Sequence, residues 1–173
     1  MASLIPLIQD ILPMILPSSI HITKSEEILP PASNGAEDTD TADGVTAAPR
    51  GEPRVISRDA IVDKTDKMCA TVMIAKPKSS SAIHHHGEQD AIIYAASGNG
   101  ILLTGPSDGG LEPKRHELSK GDFAFVPAWT EHQALNESEE DDLMWVVIRT
   151  GPSPVEVNLT GWEGPEAKGA SRK

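Results

Sequence analysis

The chain is poor in cysteine, in aromatic residues and in positive charge. Cys69 is the sole cysteine among 173 residues, so no internal disulfide can form and no Cys-based zinc motif is available. It lies in an apolar stretch, Met68-Cys69-Ala70-Thr71-Val72-Met73, and reads as a small buried hydrophobe. Lysine and arginine together number 15 against 26 acids, a formal net charge of −11. That balance argues against nonspecific attraction to nucleic acid or to an anionic membrane. Long hydrophobic runs are missing too. The apolar segment over residues 4–16 is interrupted by Pro6, Asp10 and Pro13, and no basic residue precedes it. It has neither the length to span a bilayer nor the layout of a signal peptide, so the expected location is the cytoplasm. It reads as a short helix, as an arm packed on the rest of the chain or on a partner subunit, or as a loose tail.

The six aromatic residues are Tyr94, Phe123, Phe125, Trp129, Trp145 and Trp162, and none precedes residue 94. The N-terminal part therefore reads as an attachment to a core that lies later. Residues 1–53 carry 7 of the 14 prolines and 8 acids against 2 bases. Within them, residues 31–50 are small, acidic and rich in proline and glycine, the composition of a disordered linker. From Arg54 the texture changes to short runs of Ile, Val and Leu separated by turn signals. The pattern predicts strands over 54–58, 69–76, 82–86, 91–96, 100–104, 114–118, 122–126, 131–135 and 143–150, with a weaker one over 155–159. Ser97-Gly98-Asn99-Gly100 is a tight turn between two of them. Many short antiparallel strands with no persuasive helical period give an all-β fold, a sandwich or a barrel. The expected division is an extension over 1–53, a β-barrel over 54–160 and a tail over 161–173.

Three of the six histidines are consecutive, in Ala82-Ile83-His84-His85-His86-Gly87-Glu88-Gln89-Asp90. Alternate residues of a strand share a face, so His84 and His86 point together and His85 points away. Two imidazoles so placed can hold one metal ion. A second stretch, Gly121-Asp122-Phe123-Ala124-Phe125-Val126-Pro127-Ala128-Trp129-Thr130-Glu131-His132-Gln133-Ala134-Leu135-Asn136, runs from a turn glycine through an apolar strand to a proline, a histidine and an asparagine.

With these two stretches the sequence resembles the cupin family. Gly121, Pro127, His132 and Asn136 fall in register on the second cupin motif, and Trp129 stands where that motif has a glycine. His84, His86 and Gly98 match the first motif, and the spacing back from Gly98 places the family's glutamate at Ala91. The resemblance implies a double-stranded β-helix, a jelly-roll barrel whose motif histidines point into its mouth and bind iron, manganese, nickel or zinc. Carried over, the metal ligands are His84, His86 and His132. Three imidazoles leave coordination positions open, and an open Lewis-acidic site can polarise a carbonyl or enolate oxygen, generate hydroxide or present O₂.

The absent glutamate leaves such a site one negative charge short. Asp90 shares the parity of His84 and His86 along an uninterrupted strand, though Gly87 is a place where the strand can break. Asp90 is therefore expected to face the metal or the pocket, or to point away. Gln89 and Glu88 follow as ligand, as hydrogen-bond partner of a ligand, or as general acid or base. His85 reads as a surface or interface residue and His116 as solvated, while His21 lies in the N-terminal extension with no visible partner. Tyr94, Phe123 and Phe125 read as core. Trp129 reads as a lid over the metal or a cover for the barrel end, and Met73, Met144 and Ile93 as pocket liners or core. Two functions stay open: a metal-dependent enzyme acting on a small oxygenated molecule by oxidation, decarboxylation, isomerisation or a lyase step, with Asp90 or Glu88 moving a proton, and a non-catalytic cupin that binds a small ligand. Cupins commonly pair through barrel edges, so a homodimer is expected.

Overall fold

The computed structural model describes residues 19–29, 54–106 and 112–168. The apolar segment over 4–16 and the acidic linker over 31–50 lie outside the described residues. Residues 19–29 hold a single helical turn, α1 (Ser25–Ile28), with Glu27 accepting a hydrogen bond from the backbone N–H of Lys24. The Thr23 hydroxyl donates to the carbonyl of Ala60, which seats this segment beside the barrel.

Eleven strands follow in the described residues: β1 (Val55–Ile61), β2 (Met68–Ala75), β3 (Ser79–Ser80), β4 (His84–His85), β5 (Ala91–Ser97), β6 (Gly100–Thr104), β7 (Lys114–Leu118), β8 (Phe123–Val126), β9 (His132–Asn136), β10 (Leu143–Thr150) and β11 (Val157–Asn158). One sheet has the order β1-β2-β10-β5-β8, and the other the order β11-β4-β9-β6-β7 with β3 added against β9. The chain crosses from sheet to sheet throughout, and the strands pair antiparallel. This is the double-stranded β-helix, which closes two sheets over one core.

Alternation along β10 builds that core. Leu143, Trp145, Val147 and Arg149 are buried, while Met144, Val146 and Ile148 are more open. Trp145 lies across from Met73 on β2 and Ala95 on β5, so a large ring faces a small side chain. All three lie on one sheet, so the small Ala95 leaves room beside the ring on the inner face. Cys69 is buried on the inner face of β2, and desolvation raises its thiol pKa, as befits an inert hydrophobe.

Two motif residues have purely architectural reasons. Gly98 takes φ +72°, and a Cβ there would stand 2.6 Å from the carbonyl oxygen of Asp142. Only glycine satisfies both the left-handed backbone and that close approach. Asn136 is 1% exposed, and its amide donates to the carbonyls of Ala75 and Asp141, clamping the β9–β10 turn to the end of β2.

One core assignment is corrected. Phe123 and Phe125 are 69% and 63% exposed, because β8 turns Ala124 and Val126 inward instead. Strand parity groups the two rings on one face but does not say which face is buried. Tyr94 is half-buried and packs against Phe123, with ring centroids 4.7 Å apart.

Candidate metal centre

His84 and His132 come together because β4 and β9 pair with these two residues in direct register. His86 follows just beyond the end of β4 and also turns inward, while His85 points outward and stacks near Trp129, centroids 5.2 Å apart. The three inward imidazoles are buried, and one ring nitrogen of each lies within 4.8 Å of those of the other two. One ion can draw such a set together. Their rings sit 4.3 Å (His84–His132), 4.6 Å (His86–His132) and 5.3 Å (His84–His86) apart between centroids.

The hydrogen bonding of two rings is set for ligation. Nδ1 of His84 is 2.9 Å from the carbonyl of Ala82, and Nδ1 of His132 is 2.8 Å from that of Thr130. A carbonyl only accepts, so the proton sits on Nδ1 and the Nε2 lone pair is left for a metal. Burial drives the pKa of His84 down to about 4 and that of His132 to about 3. Burial, then the charge of Arg149, pushes His86 far below the usual histidine range as well. All three rings are therefore neutral at neutral pH, the form that binds metal.

His86 differs from the other two. Its Nε2 is 3.2 Å from Nη2 of Arg149, and its Nδ1 is buried without a hydrogen-bond partner among the described residues. Arginine only donates, so this contact occupies the single lone pair of the neutral ring. The donor set fits a divalent transition metal, provided the Arg149 contact opens for His86 to ligate.

The three histidines open onto a cavity of about 350 Å³. Its apolar lining includes Met73, Ile93, Trp145 and Val147, and its charged lining among the described residues is Arg54, Arg149 and Glu156. Sequence reasoning missed these charged residues. For Arg149 a signal existed: it shares parity with Trp145 and Val147 along β10. Arg54 opens the predicted strand over 54–58 and Glu156 lies in the weaker one over 155–159, and neither short run says which of its faces is inward.

The structure does not bring the other candidates to the cluster. Gly87 takes φ +58° and ends the extended run, so the parity argument for Asp90 fails at that point. Asp90 is exposed, and its carboxylate accepts from the backbone N–H of Ala128 at 2.9 Å. Gln89 is buried, but its amide donates to the carbonyls of Thr150 and Ser153 and accepts from the N–H of Val155, so it braces the segment after β10. Glu88 is exposed, and none of the three lines the cavity. Met73 and Ile93 line it, Met144 does not. His116 is half-buried, with Nε2 3.1 Å from the Thr104 hydroxyl, and His21 is exposed. No helix among the described residues is long and apolar enough to cross a membrane.

Comparison with known proteins gives the same frame. The cupin domain profile matches residues 71–149, which contain all three histidines. An uncharacterised protein of Acanthamoeba polyphaga mimivirus is 30% identical over 88 residues, 51% of this chain and 52% of the relative, so the chain spans about half of that relative's length. The polyketide cyclase RemF of Streptomyces resistomycificus superposes with a TM-score of 0.51 at 23% identity, over 65% of this chain and 75% of that one. A mutant of Bacillus subtilis oxalate decarboxylase superposes with a TM-score of 0.54 at 19% identity, over 65% of this chain and 30% of that one. At these identities the two structures speak for the fold alone.

Proposed function

Because the chain belongs to the cupin superfamily, through the domain over residues 71–149 and its double-stranded β-helix, we propose that it is a metal-dependent enzyme acting on a small oxygenated organic molecule at His84, His86 and His132. The observation that carries this reading is the convergence of three buried, neutral imidazoles at the wall of a cavity of small-molecule size. A divalent iron, manganese, nickel or zinc ion there supplies Lewis acidity toward a carbonyl or enolate oxygen. The apolar walls of Met73, Ile93, Trp145 and Val147 exclude water and hold the carbon skeleton. Glu156 is the carboxylate on the cavity wall, so the proton-moving role first expected of Asp90 or Glu88 passes to it. The reaction class is a non-redox proton-transfer step, of the decarboxylase, isomerase or lyase kind, or an O₂-dependent oxidation; iron would favour the latter.

Elemental analysis of protein purified without an affinity tag tests this. About one equivalent of a transition metal is expected, as for one three-histidine site. Less than about a tenth of an equivalent, with no uptake of added metal, overturns the reading. Glu156→Gln is expected to keep the metal and lose turnover of whichever substrate the parent protein accepts.

The second reading is a ligand-binding cupin without catalysis, and Ala91 in place of the motif glutamate favours it. A parent protein that binds metal and ligand but turns over no member of a broad substrate panel decides for it. Self-association is part of either reading. Ile92, Phe125 and Ile148 lie side by side, exposed, on the outer face of β10-β5-β8, and such an apolar face supports a homodimer. A monomer in light scattering at micromolar concentration contradicts it.

A further inference from the structure

Arg149 changes the character of this site. It occupies an inner position of β10 and is 4% exposed. Its Nη1 donates to the Thr71 hydroxyl at 2.9 Å, and its Nη2 faces His86 Nε2 at 3.2 Å. In register it lies directly across from Ala91 on β5. Ala91 is the position at which the first motif calls for a glutamate. A small side chain thus stands in the carboxylate's place, and a guanidinium reaches His86 from the neighbouring strand.

The sign of the charge at the site is thereby reversed. With the three imidazoles neutral, the charged lining among the described residues comprises two arginines, Arg54 and Arg149, and one acid, Glu156. The remaining walls mix apolar side chains with the polar Ser57, Thr71, Ser80, Ser81 and Asn158, and the burial of Arg149 away from bulk water strengthens electrostatic attraction to it. A guanidinium presents a planar fork that matches a carboxylate, and a charged acceptor outcompetes a neutral imidazole for its N–H groups.

We infer that Arg149 anchors a carboxylate group of the small molecule that enters this cavity, and that this engagement draws Nη2 away from His86 and frees the His86 lone pair for the metal. The first half stands on the cavity alone; the second half rests on the metal-binding reading above. A protein carboxylate would raise metal affinity permanently. Here the ligand adds negative charge to that of Glu156, so anion and metal assist each other's binding. Such coupling is reciprocal by thermodynamic necessity.

The test uses the full chain, stripped of metal by chelator, in isothermal calorimetry against three matched pairs: acetate and acetamide, succinate and succinamide, benzoate and benzamide. Each pair keeps the shape and changes the charge. At least one carboxylate is expected to bind about 10-fold or more tightly than its amide, which is about 1.4 kcal/mol. Arg149→Gln is expected to abolish that preference and Arg149→Lys to retain part of it. If no carboxylate outbinds its amide in the wild-type protein, or if the preference survives in Arg149→Gln, the anchor is overturned. The wild-type comparison decides even where a variant fails to fold. Zinc affinity is then measured by chelator competition with and without the best carboxylate. Zinc is expected to bind several-fold more tightly with it. Arg149→Gln is expected to bind zinc more tightly than wild type without the carboxylate, and to gain nothing from it. Equal zinc affinity with and without the carboxylate in wild type overturns the His86 release. A protein that takes up no zinc at all overturns the metal reading, and the carboxylate preference is then judged by itself.

Discussion

The two motif stretches each depart from their pattern at one position, and the departures differ in kind. In 121–136 Trp129 replaces a glycine, yet it adopts φ +63°, the left-handed backbone that a glycine would supply. Its backbone N–H still reaches the carbonyl of Gly87 at 2.8 Å, and His132 arrives in place. That departure costs local strain and leaves the architecture intact. In 84–98 Ala91 replaces a glutamate without disturbing the strand, since Ala91 pairs in register with both Arg149 and Val126. What changes there is the charge at the site, which passes from an acid on β5 to Arg149 on β10. A backbone departure can be absorbed by the chain that makes it. A departure in charge alters what the cavity can bind.

Acid should stress the charge side of this comparison most. His84 and His132 have folded pKa values of about 4 and about 3, below the ordinary value near 6.5 that the unfolded chain has. Above pH 6.5 both states are neutral there and stability is flat. Below it the unfolded state gains protons that the folded state refuses, so stability falls until the folded values are reached. For His84 alone the loss by pH 4 is on the order of 3 kcal/mol. Urea midpoints of the metal-free protein at pH 7.5, 5.5 and 4.5 should drop steadily. A flat series would mean that the site holds protonated imidazoles.

Gly98→Ala probes the backbone side where space is also missing. Its Cβ would stand 2.6 Å from the Asp142 carbonyl oxygen in addition to the left-handed φ, so a loss of about 2–4 kcal/mol is expected. A thermal midpoint unchanged from wild type would show that the β5–β6 turn can relax. Trp129→Gly should do least. It relieves the left-handed strain and gives up an exposed ring stacked near His85, two terms of about 1 kcal/mol with opposite sign. Stability within about 1 kcal/mol of wild type and unchanged metal affinity are expected. A large drop in metal affinity would make Trp129 part of the site.

Much of the fold was legible in the sequence because β-rich runs and turn glycines punctuate it clearly. Eight of the predicted strands correspond closely to β2 and β4 through β10. Parity also separated His85 from His84 and His86. Parity failed where its premise failed. The run through Asp90 is broken at Gly87, and the five residues after His85 form a turn that braces the segments around Ala128 and Thr150–Val155 instead of continuing a strand. Phe123 and Phe125 were misplaced because a two-fold alternation leaves the choice of inner face to the rest of the barrel. A cation near a strand end reads as solvated, so the parity of Arg149 with Trp145 and Val147 was the signal passed over, and the sheet order, which puts β10 between β2 and β5, shows that it is enclosed.

Cobalt titration of the wild-type chain and of four single alanine variants tests the central claim most directly, because the visible bands of bound Co²⁺ report its ligands without requiring a known substrate. His84→Ala, His86→Ala and His132→Ala should each lose stoichiometric binding, with affinity down by more than about 100-fold. His85→Ala should bind about one equivalent with the wild-type spectrum. Loss of binding in His85→Ala, or its persistence in His132→Ala, would contradict the assignment of the centre.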